Sequence, residues 1–376
     1  MGGNALQIQR IDVYRVTYPY SGGVYTLSGG REYREFDGTI VRITADDGTE
    51  GWGESTPFGA TFIAAHALGV RAGIEEIAPK LIGLDPRRVD RINEVMDSVL
   101  AGHNHAKAAL DIACWDIFGK SVGLPVCDLL GGRTAGPIPM LMSLPIPQPG
   151  KGNMAKLMNE YRAKGAINFS IKISGDDYAE DAARVIEAFE TKKPGEWYQV
   201  DVNTGFTVDS ALRFLRLVPD NLDFTFEAPC KTWRECASLR RRTNVPILFD
   251  ELALDEAAVV QMVAQDACDG IGLKVTKFGG LTKARRARDI AVAAGYVMGV
   301  QDSAGGDISF AAIMHLAQSI PRYNLRCALD VREMCIGKFA DGDYDIKDGY
   351  LEAPNEPGLG IKVRVDALGP PVASYQ

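Results

Sequence analysis

The hydrophobic pattern of the chain changes near residue 134. Before that point, "QRIDVYRVTYPY" and "GTIVRITADDGTEGWGES" alternate apolar and polar residues around a "DDG" turn, which predicts antiparallel strands. The stretches "TFIAAHALGVRAGIEEIAPKLIG" and "AKAALDIACWDIFGKSVG" follow with helical spacing, and each ends near a glycine. Strands followed by helices predict an α+β domain over residues 1–133.

From "GPIPMLMSL" onward, short apolar strands alternate with amphipathic helices. The eight strand candidates are "IPMLMSL", "NFSIKIS", "YQVDVN", "FTFEAP", "PILFDE", "GIGLKVTK", "YVMGVQD" and "NLRCALD". This series predicts an α/β fold, a (β/α)8 barrel of the TIM type, over residues 134–340. A doubly wound open sheet is the alternative, but the eight units and the lack of a GxGxxG after the first strand favour the barrel. We expect the proline- and glycine-rich tail, about 341–376, to pack back and complete the first domain.

Composition excludes several classes of protein. Of the 376 residues, 46% are hydrophobic and 24% charged, as in a globular protein with a substantial core. The net charge of −8 and the lack of a dense Lys/Arg tract argue against a nucleic-acid partner. Neither a signal peptide nor a membrane span is evident, so we expect no membrane partner. Seven cysteines without CxxC pairing indicate a reducing compartment, the cytoplasm.

Charged residues stand at the ends of seven strand candidates, beginning with the second. In chain order they are Lys172, Asp201, Glu227, Asp250, Lys274, Asp302 and Asp330. Barrel enzymes build their active sites from residues at the carboxyl ends of the strands. We therefore expect these side chains to surround one site.

Three of these acids come from consecutive strands. Asp201, Glu227 and Asp250 would converge on one side of the barrel mouth, where three ionised carboxylates need a cation between them. Oxygen ligands favour a hard ion, so we expect one Mg²⁺ per subunit, with Mn²⁺ as a substitute. Asn203 would point to the same face as Asp201 and support the metal. The alternative is that each acid caps a helix or pairs with an arginine.

The two lysines stand four strands apart, on opposite sides of the mouth. Lys172 and Lys274 would each reach one face of the α-carbon of a metal-bound carboxylate substrate. We expect their mutual repulsion and the nearby Mg²⁺ to lower the pKa of both lysines, as a general base requires. A single lysine at a strand end is more often a surface residue with an extended side chain.

With these residues in place, the chain resembles the enolase superfamily, muconate-lactonizing subgroup. The stretches "GGVYTLSGGREY", "GWGESTPFG", "CWDIFGK" and "ISFAAIMHLAQS" are similar to those of bacterial cis-3-hydroxy-L-proline dehydratases, relatives of the hydroxyproline betaine 2-epimerases. The resemblance covers essentially the whole chain and makes the first domain a capping domain. It implies that Lys172 and Lys274 are acid/base groups, that the three acids bind Mg²⁺, and that loops around Tyr25 and Ser55–Thr56 close over the substrate. The mandelate racemase subgroup has a histidine on the seventh strand, and "YVMGVQDSAGG" has none.

One position departs from the subgroup. The usual Lys-x-Lys of the second strand is Ser170-Ile171-Lys172 here. The missing lysine removes a fixed positive charge beside the substrate. We hypothesise that the vacancy accommodates a substrate with its own cation, such as a zwitterionic imino acid.

The substrate's nitrogen separates two expected reactions. A secondary ammonium has N–H donors and needs acceptors, whereas a betaine needs an aromatic cage. The last two strands end in Asp302 and Asp330, and none of the four tryptophans lies there. We therefore expect a free imino acid, with these aspartates as its acceptors.

The resemblance implies dehydration of cis-3-hydroxy-L-proline to Δ1-pyrroline-2-carboxylate through an ene-diolate. In this substrate the α-hydrogen and the hydroxyl lie on opposite ring faces, which suits two opposed lysines. The alternative is a 2-epimerase of hydroxyproline betaine or a related proline derivative, since the same groups can return the proton to the other face. A non-catalytic binding scaffold is the third possibility. We expect a homo-oligomer, as the family forms symmetric assemblies.

Overall fold

The structure, a computed structural model, describes residues 6–134 and 136–376. Its first part pairs long antiparallel strands, with β1 bonded to β4 and β4 to β5 through a tight turn at Asp47–Gly48. A short hairpin and four helices complete this part. The elements are β1 (Ile8–Pro19), β2 (Tyr25–Leu27), β3 (Arg31–Tyr33), β4 (Glu35–Ala45), β5 (Glu50–Ser55), α1 (Ala67–Ile77), α2 (Val89–Val99), α3 (Asn104–Val122) and α4 (Val126–Leu129).

Two glycines of β5 let helix α3 lie directly on the sheet. A Cβ at Gly51 would stand 2.1 Å from the carbonyl oxygen of Ala113, and one at Gly53 would stand 1.9 Å from that of Ala109. Any side chain at these positions would therefore push the helix away. The close approach explains why α3 is buried on almost every face.

The second part is a closed barrel of eight parallel strands. They are β6 (Ile138–Leu144), β7 (Asn168–Lys172), β8 (Trp197–Asp201), β9 (Thr225–Glu227), β10 (Ile247–Phe249), β11 (Gly270–Lys274), β12 (Val297–Gln301) and β13 (Leu325–Leu329). Pairing of Ala328 with Met140 and of Leu329 with Leu141 joins β13 to β6 and closes the ring. The predicted barrel is confirmed, because an open sheet would leave β6 and β13 as separate edges.

Helices cover the outside of the barrel. They are α5 (Asn153–Ala163), α6 (Tyr178–Glu190), α7 (Val208–Leu217), α8 (Trp233–Arg240), α9 (Glu256–Ala264), α10 (Val275–Phe278), α11 (Leu281–Ala293) and α12 (Asp307–Gln318). The last barrel strand is followed by a 3-10 turn, Val331–Met334, in place of an eighth α-helix. The outer layer of helices thus departs at this point from the regular alternation of strand and helix in an ideal (β/α)8 barrel.

The tail contacts both parts of the chain. Its elements are β14 (Ala340–Gly342), β15 (Tyr350–Leu351), β16 (Ile361–Val363), α13 (Val365–Leu368) and β17 (Ala373–Tyr375). Strand β15 pairs antiparallel with β6 of the barrel, and β17 pairs antiparallel with β1, giving the sheet order β17-β1-β4-β5. The tail thus joins the first sheet, while the domain boundaries at 133/134 and 340/341 stay predictions.

Two further observations concern the chain as a whole. In the described part of the chain, no helix combines the length and the apolar character needed to cross a membrane. All seven cysteines, each within the described residues, carry free thiols, and only Cys335 is more than marginally exposed. The buried ones act as small hydrophobic side chains of the core.

A buried glutamate fixes the first part of the chain to the barrel. Oε1 of Glu54, on β5, accepts hydrogen bonds from Tyr18 Oη at 2.9 Å, Thr56 Oγ1 at 2.9 Å and the backbone N of Gly306 at 2.8 Å. Its Oε2 accepts one from the backbone N of Ser309 at 3.1 Å. Burial raises the pKa of Glu54, and these donors counteract that rise. The carboxylate therefore sits at the N-terminus of α12, where the helix dipole favours negative charge.

We expect Glu54→Ala to lower the free energy of unfolding by about 3 kcal/mol, because it leaves several buried donors without an acceptor. Denaturant unfolding followed by circular dichroism measures the change. Glu50→Ala is the matched control, since Glu50 lies on the same strand but its side chain is 40% exposed and forms a surface ion pair with Arg42 at 3.2 Å. The control is expected to cost less than about 1 kcal/mol. Equal losses in the two variants would contradict the assigned role of Glu54.

Candidate active site

A cavity lies at the carboxyl end of the barrel strands, beneath the loops of the first domain. The free volume that it encloses is small, about 30 Å³, which is room for about two water molecules. The polar residues that line it are Tyr25, Ser143, Ser170, Lys172, Glu227, Lys274, Gln301, Asp302 and Ser303. Apolar side chains of the first domain, Leu27, Phe58 and Phe62, close it from above. The predicted site at the strand ends therefore corresponds to a real cavity.

The three predicted metal ligands are buried at the ends of three neighbouring strands. Asp201 pairs in register with Glu227, and Glu227 pairs with Leu248, two residues before Asp250. Each acid is at most 2% exposed. Burial raises the pKa of Glu227 well above its usual value, and the charges of Asp201 and Asp250 raise it further. The three carboxylates therefore repel one another when ionised, because the strands bring them together in a buried site.

Each predicted acid/base lysine forms an ion pair with one of these acids. Lys172 contacts Asp201, its neighbour in strand register, and Lys274 Nζ lies 2.5 Å from Asp250 Oδ2. Burial lowers the pKa of both lysines, but the neighbouring acids outweigh burial, and the net shift is upward. The expected lowering of the pKa of both lysines assumed a bound Mg²⁺ and stays a prediction. Attraction to adjacent carboxylates exceeds the repulsion between two ammonium groups on opposite strands.

A third buried lysine escaped the sequence analysis. Lys277 Nζ donates to Asp250 Oδ1 at 2.8 Å and to the Asp250 carbonyl oxygen at 2.5 Å. Burial lowers its pKa, and the charge of Lys274 adds to that effect. The available signal was its position on the turn after Lys274, three residues on, in "KVTK".

Amide side chains hold the acids in position. Asn203 donates from its backbone N to Asp201 Oδ1 at 2.8 Å, and from Nδ2 to Glu251 Oε1 at 3.1 Å, consistent with the supporting role expected for it. Gln199 donates to Glu227 Oε2, and Gln301 Nε2 donates to Glu227 Oε1 at 3.2 Å. Neither glutamine was predicted. Both lie on barrel strands for which the sequence analysis considered only the charged residue at the end.

The donor set fits a hard divalent cation. It consists of carboxylate oxygens from three adjacent strands, and Glu251 Oε2 beside them is buried without a hydrogen-bond partner in the described residues. In the arrangement described, these oxygens face ammonium and amide groups. Within residues 6–134 and 136–376, no three acid, histidine or cysteine side chains are already drawn together around one point. A bound ion would therefore compete with Lys172 and Lys274 for the same oxygens.

Asp302 and Asp330, both expected to accept the substrate's ammonium, are placed differently: Asp302 lines the cavity and Asp330 does not. The oxygens of Asp302 already accept from Thr276, through its hydroxyl and its backbone N, and from the backbone N of Ser303. Asp330 caps the 3-10 turn after β13 and pairs with Arg332 at 2.8 Å, away from the cavity lining. Both carboxylates stabilise turns at strand ends. In the sequence, an aspartate with this role looks the same as one that binds a ligand.

Of the residues predicted in the first domain, one lines the cavity and two do not. Tyr25 reaches the cavity, and its hydroxyl is 2.9 Å from Ser143 Oγ. Ser55 and Thr56 do not line it, because Ser55 contacts His105 Nδ1 at 3.3 Å and Thr56 bonds to Glu54. The loop that follows them supplies Phe62 instead, whose ring centroid is 4.9 Å from Lys274 Nζ.

Comparison with known proteins agrees with this geometry. Residues 153–367 match the family model described as enolase C-terminal domain-like, and residues 33–131 match the N-terminal domain of mandelate racemase / muconate lactonizing enzymes. The chain belongs to the enolase superfamily. Enzymes of this superfamily use Mg²⁺, and the membership makes the chain an enzyme rather than a non-catalytic scaffold.

Relatives of this superfamily member include both lyases and isomerases. A cis-3-hydroxy-L-proline dehydratase of Roseibium aggregatum is 40% identical, over 98% of this chain and all of the relative. An N-succinyl-L-Arg/Lys racemase of Bacillus cereus is 28% identical, over 96% of this chain and 97% of the relative. A solved structure from Roseovarius nubinhibens, assigned to the mandelate racemase/muconate lactonizing group and complexed with magnesium, is 51% identical. It has a TM-score of 0.95 and covers 98% of this chain and 100% of its own.

Proposed function

We propose that the protein is a Mg²⁺-dependent hydro-lyase that converts cis-3-hydroxy-L-proline to Δ1-pyrroline-2-carboxylate. The observation that carries the proposal is the placement of Lys172 and Lys274 on strands β7 and β11, facing one cavity that Glu227 also lines, with Asp201 and Asp250 each paired to one of the lysines. The likeness to a cis-3-hydroxy-L-proline dehydratase over almost the full chain supports the choice of substrate.

The chain's own residues supply the proton transfers. One lysine removes the α-proton of the substrate from one ring face, and the other lysine protonates the departing hydroxyl on the opposite face. Asp201, Glu227 and Asp250 would hold the Mg²⁺, which, when bound, offsets the negative charge that develops on the substrate carboxylate. Phe58 and Phe62 close the cavity and limit the access of water to the reacting groups.

Ser170 supports an imino-acid substrate. It lines the cavity on the strand that carries Lys172, at the position where the subgroup usually has a second lysine. A small neutral hydroxyl there leaves room beside the acid cluster and adds no positive charge. A zwitterion with its own ammonium is thus easier to accommodate than it would be beside a third ammonium.

A 2-epimerase acting on hydroxyproline betaine or a related proline derivative is the second candidate. Two lysines on opposite faces of one α-carbon are what removal and return of a proton require. Racemases among the relatives favour this candidate. We further propose one Mg²⁺ per subunit, a homo-oligomer and a cytoplasmic location, the last supported by the free thiols of the seven cysteines.

Incubating the Mg²⁺-loaded protein with cis-3-hydroxy-L-proline in D2O separates the two reactions. A hydro-lyase is expected to form pyrroline, followed by NMR, with loss of the 3-hydroxyl. An epimerase is expected to exchange the α-hydrogen and invert C2 while the hydroxyl stays. Exchange and inversion without pyrroline, with this substrate or the betaine, would overturn the dehydratase proposal.

A further inference from the structure

The side chain of Gln301 is fixed in one orientation at the floor of the cavity. Its Nε2 donates to Glu227 Oε1 at 3.2 Å, and a carboxylate can only accept. Gly272 leaves the space that the amide occupies, since a Cβ there would stand 2.5 Å from Gln301 Nε2. The amide carbonyl oxygen, Oε1, is therefore turned away from Glu227. The side chain lines the cavity, and Oε1 has no hydrogen-bond partner among the described residues.

The residue that carries this carbonyl is next to one of the proposed proton-transfer groups. Gln301 is the register partner of Lys274 on the neighbouring strand. A ring whose α-carbon is within reach of Lys274 carries its nitrogen on that same carbon. The nitrogen is consequently close to the end of β12.

Other acceptors at the rim are less suited to an ammonium. Asp302 and Asp330 are engaged by turns and by Arg332. Ser303 Oγ is buried and has no hydrogen-bond partner in the described part of the chain, but a hydroxyl can donate as readily as it accepts and does not select for N–H. An amide carbonyl accepts only.

We propose that Gln301 determines specificity by accepting a hydrogen bond from the ring N–H of a secondary-amine substrate. The inference rests on the proposed function and deepens it. A quaternary betaine nitrogen has no N–H and gains nothing from Oε1, so Gln301 separates free imino acids from their N,N-dimethyl derivatives. The role that the sequence pattern gave to Asp302 and Asp330 belongs to Gln301, the neutral last residue of β12.

Affinities of L-proline and L-proline betaine for the Mg²⁺-loaded protein test the proposal by calorimetry. Gln301→Met keeps the length of the side chain and removes the acceptor. It is expected to weaken proline binding about 10- to 100-fold, the effect of one hydrogen bond to a charged group, and betaine binding by less than about threefold. Equal weakening for both ligands, or none for proline, would overturn the assignment.

Gln199→Met is the matched control, because Gln199 also donates to Glu227 but does not line the cavity. It is expected to affect both ligands alike. If Gln301→Met fails to fold, Gly272→Ala displaces the same amide and should produce the same selective loss for proline. Wild-type protein that prefers proline but forms no pyrroline from cis-3-hydroxy-L-proline would overturn the dehydratase proposal and leave the role of Gln301 standing. Wild-type protein that binds both ligands equally would overturn the role of Gln301 and leave the dehydratase proposal standing.

Discussion

Replacing Lys274 with alanine is expected to lower kcat for pyrroline formation by about 10²- to 10⁴-fold, the usual contribution of a positioned acid or base. Lys172→Ala is expected to have an effect of the same size, because the two lysines serve opposite faces of one α-carbon. Steady-state kinetics with cis-3-hydroxy-L-proline measures both losses. Thermal unfolding of each variant shows whether the unpaired Asp201 or Asp250 has also reduced stability.

Hydrogen exchange in D2O assigns the two roles. The variant that lacks the base should neither exchange the α-hydrogen nor form product, whereas the variant that lacks the acid should still exchange. Lys283→Met is the control, since Lys283 is also buried but pairs with Asp97 at 2.7 Å and does not line the cavity. Its kcat should stay within about threefold of wild type, as expected for a residue outside the chemistry. Activity above about a tenth of wild type in either alanine variant would contradict the two-lysine reaction.

Removing the metal is expected to abolish activity, and Glu227→Gln is expected to weaken Mg²⁺ binding about 100-fold. One charge pair at 4 Å is worth about 4 kcal/mol at an effective dielectric constant of 20, and relief of repulsion from Asp201 and Asp250 offsets part of it. Titration calorimetry of protein first treated with EDTA measures the affinity. Added Mg²⁺ should restore turnover in the wild type, and we expect Mn²⁺ to substitute.

Asp330→Asn provides the comparison for the metal site. It removes a carboxylate from the end of another barrel strand, but one that pairs with Arg332 outside the cavity lining. The Mg²⁺ affinity of this variant should change by less than about threefold, because a distant charge is largely screened. Glu227→Gln protein that binds Mg²⁺ as tightly as wild type would remove Glu227 from the ligand set.

The fold and the charged ring of the site follow from local sequence patterns. Apolar runs of strand length, each followed by a helical stretch, are readable from neighbouring residues, and the structure has a closed barrel where they predict one. A charged residue at the end of such a run is equally visible. That is why the sequence predicts Lys172, Glu227 and Lys274 at the barrel mouth, and all three line the cavity.

Hydrogen-bond partners, by contrast, were decided only by the tertiary structure. Asp302 and Glu227 both end a strand in the sequence and both line the cavity, yet Asp302 accepts from Thr276, 26 positions away, and Glu227 accepts from Gln301, 74 positions away. Gln301 carries no charge and shows no periodic signal. Its orientation in the cavity lining depends on Glu227, 74 positions away, which holds its amide nitrogen, and on Gly272, which leaves room for the amide.

The sequence of this protein thus determined which polar groups reach the barrel mouth, since periodicity and strand ends are properties of adjacent residues. The tertiary structure alone decided which of those groups remain available to a ligand. Availability depends on whether a donor from a distant segment has already engaged the oxygen, and contacts between distant segments exist only once the barrel has closed.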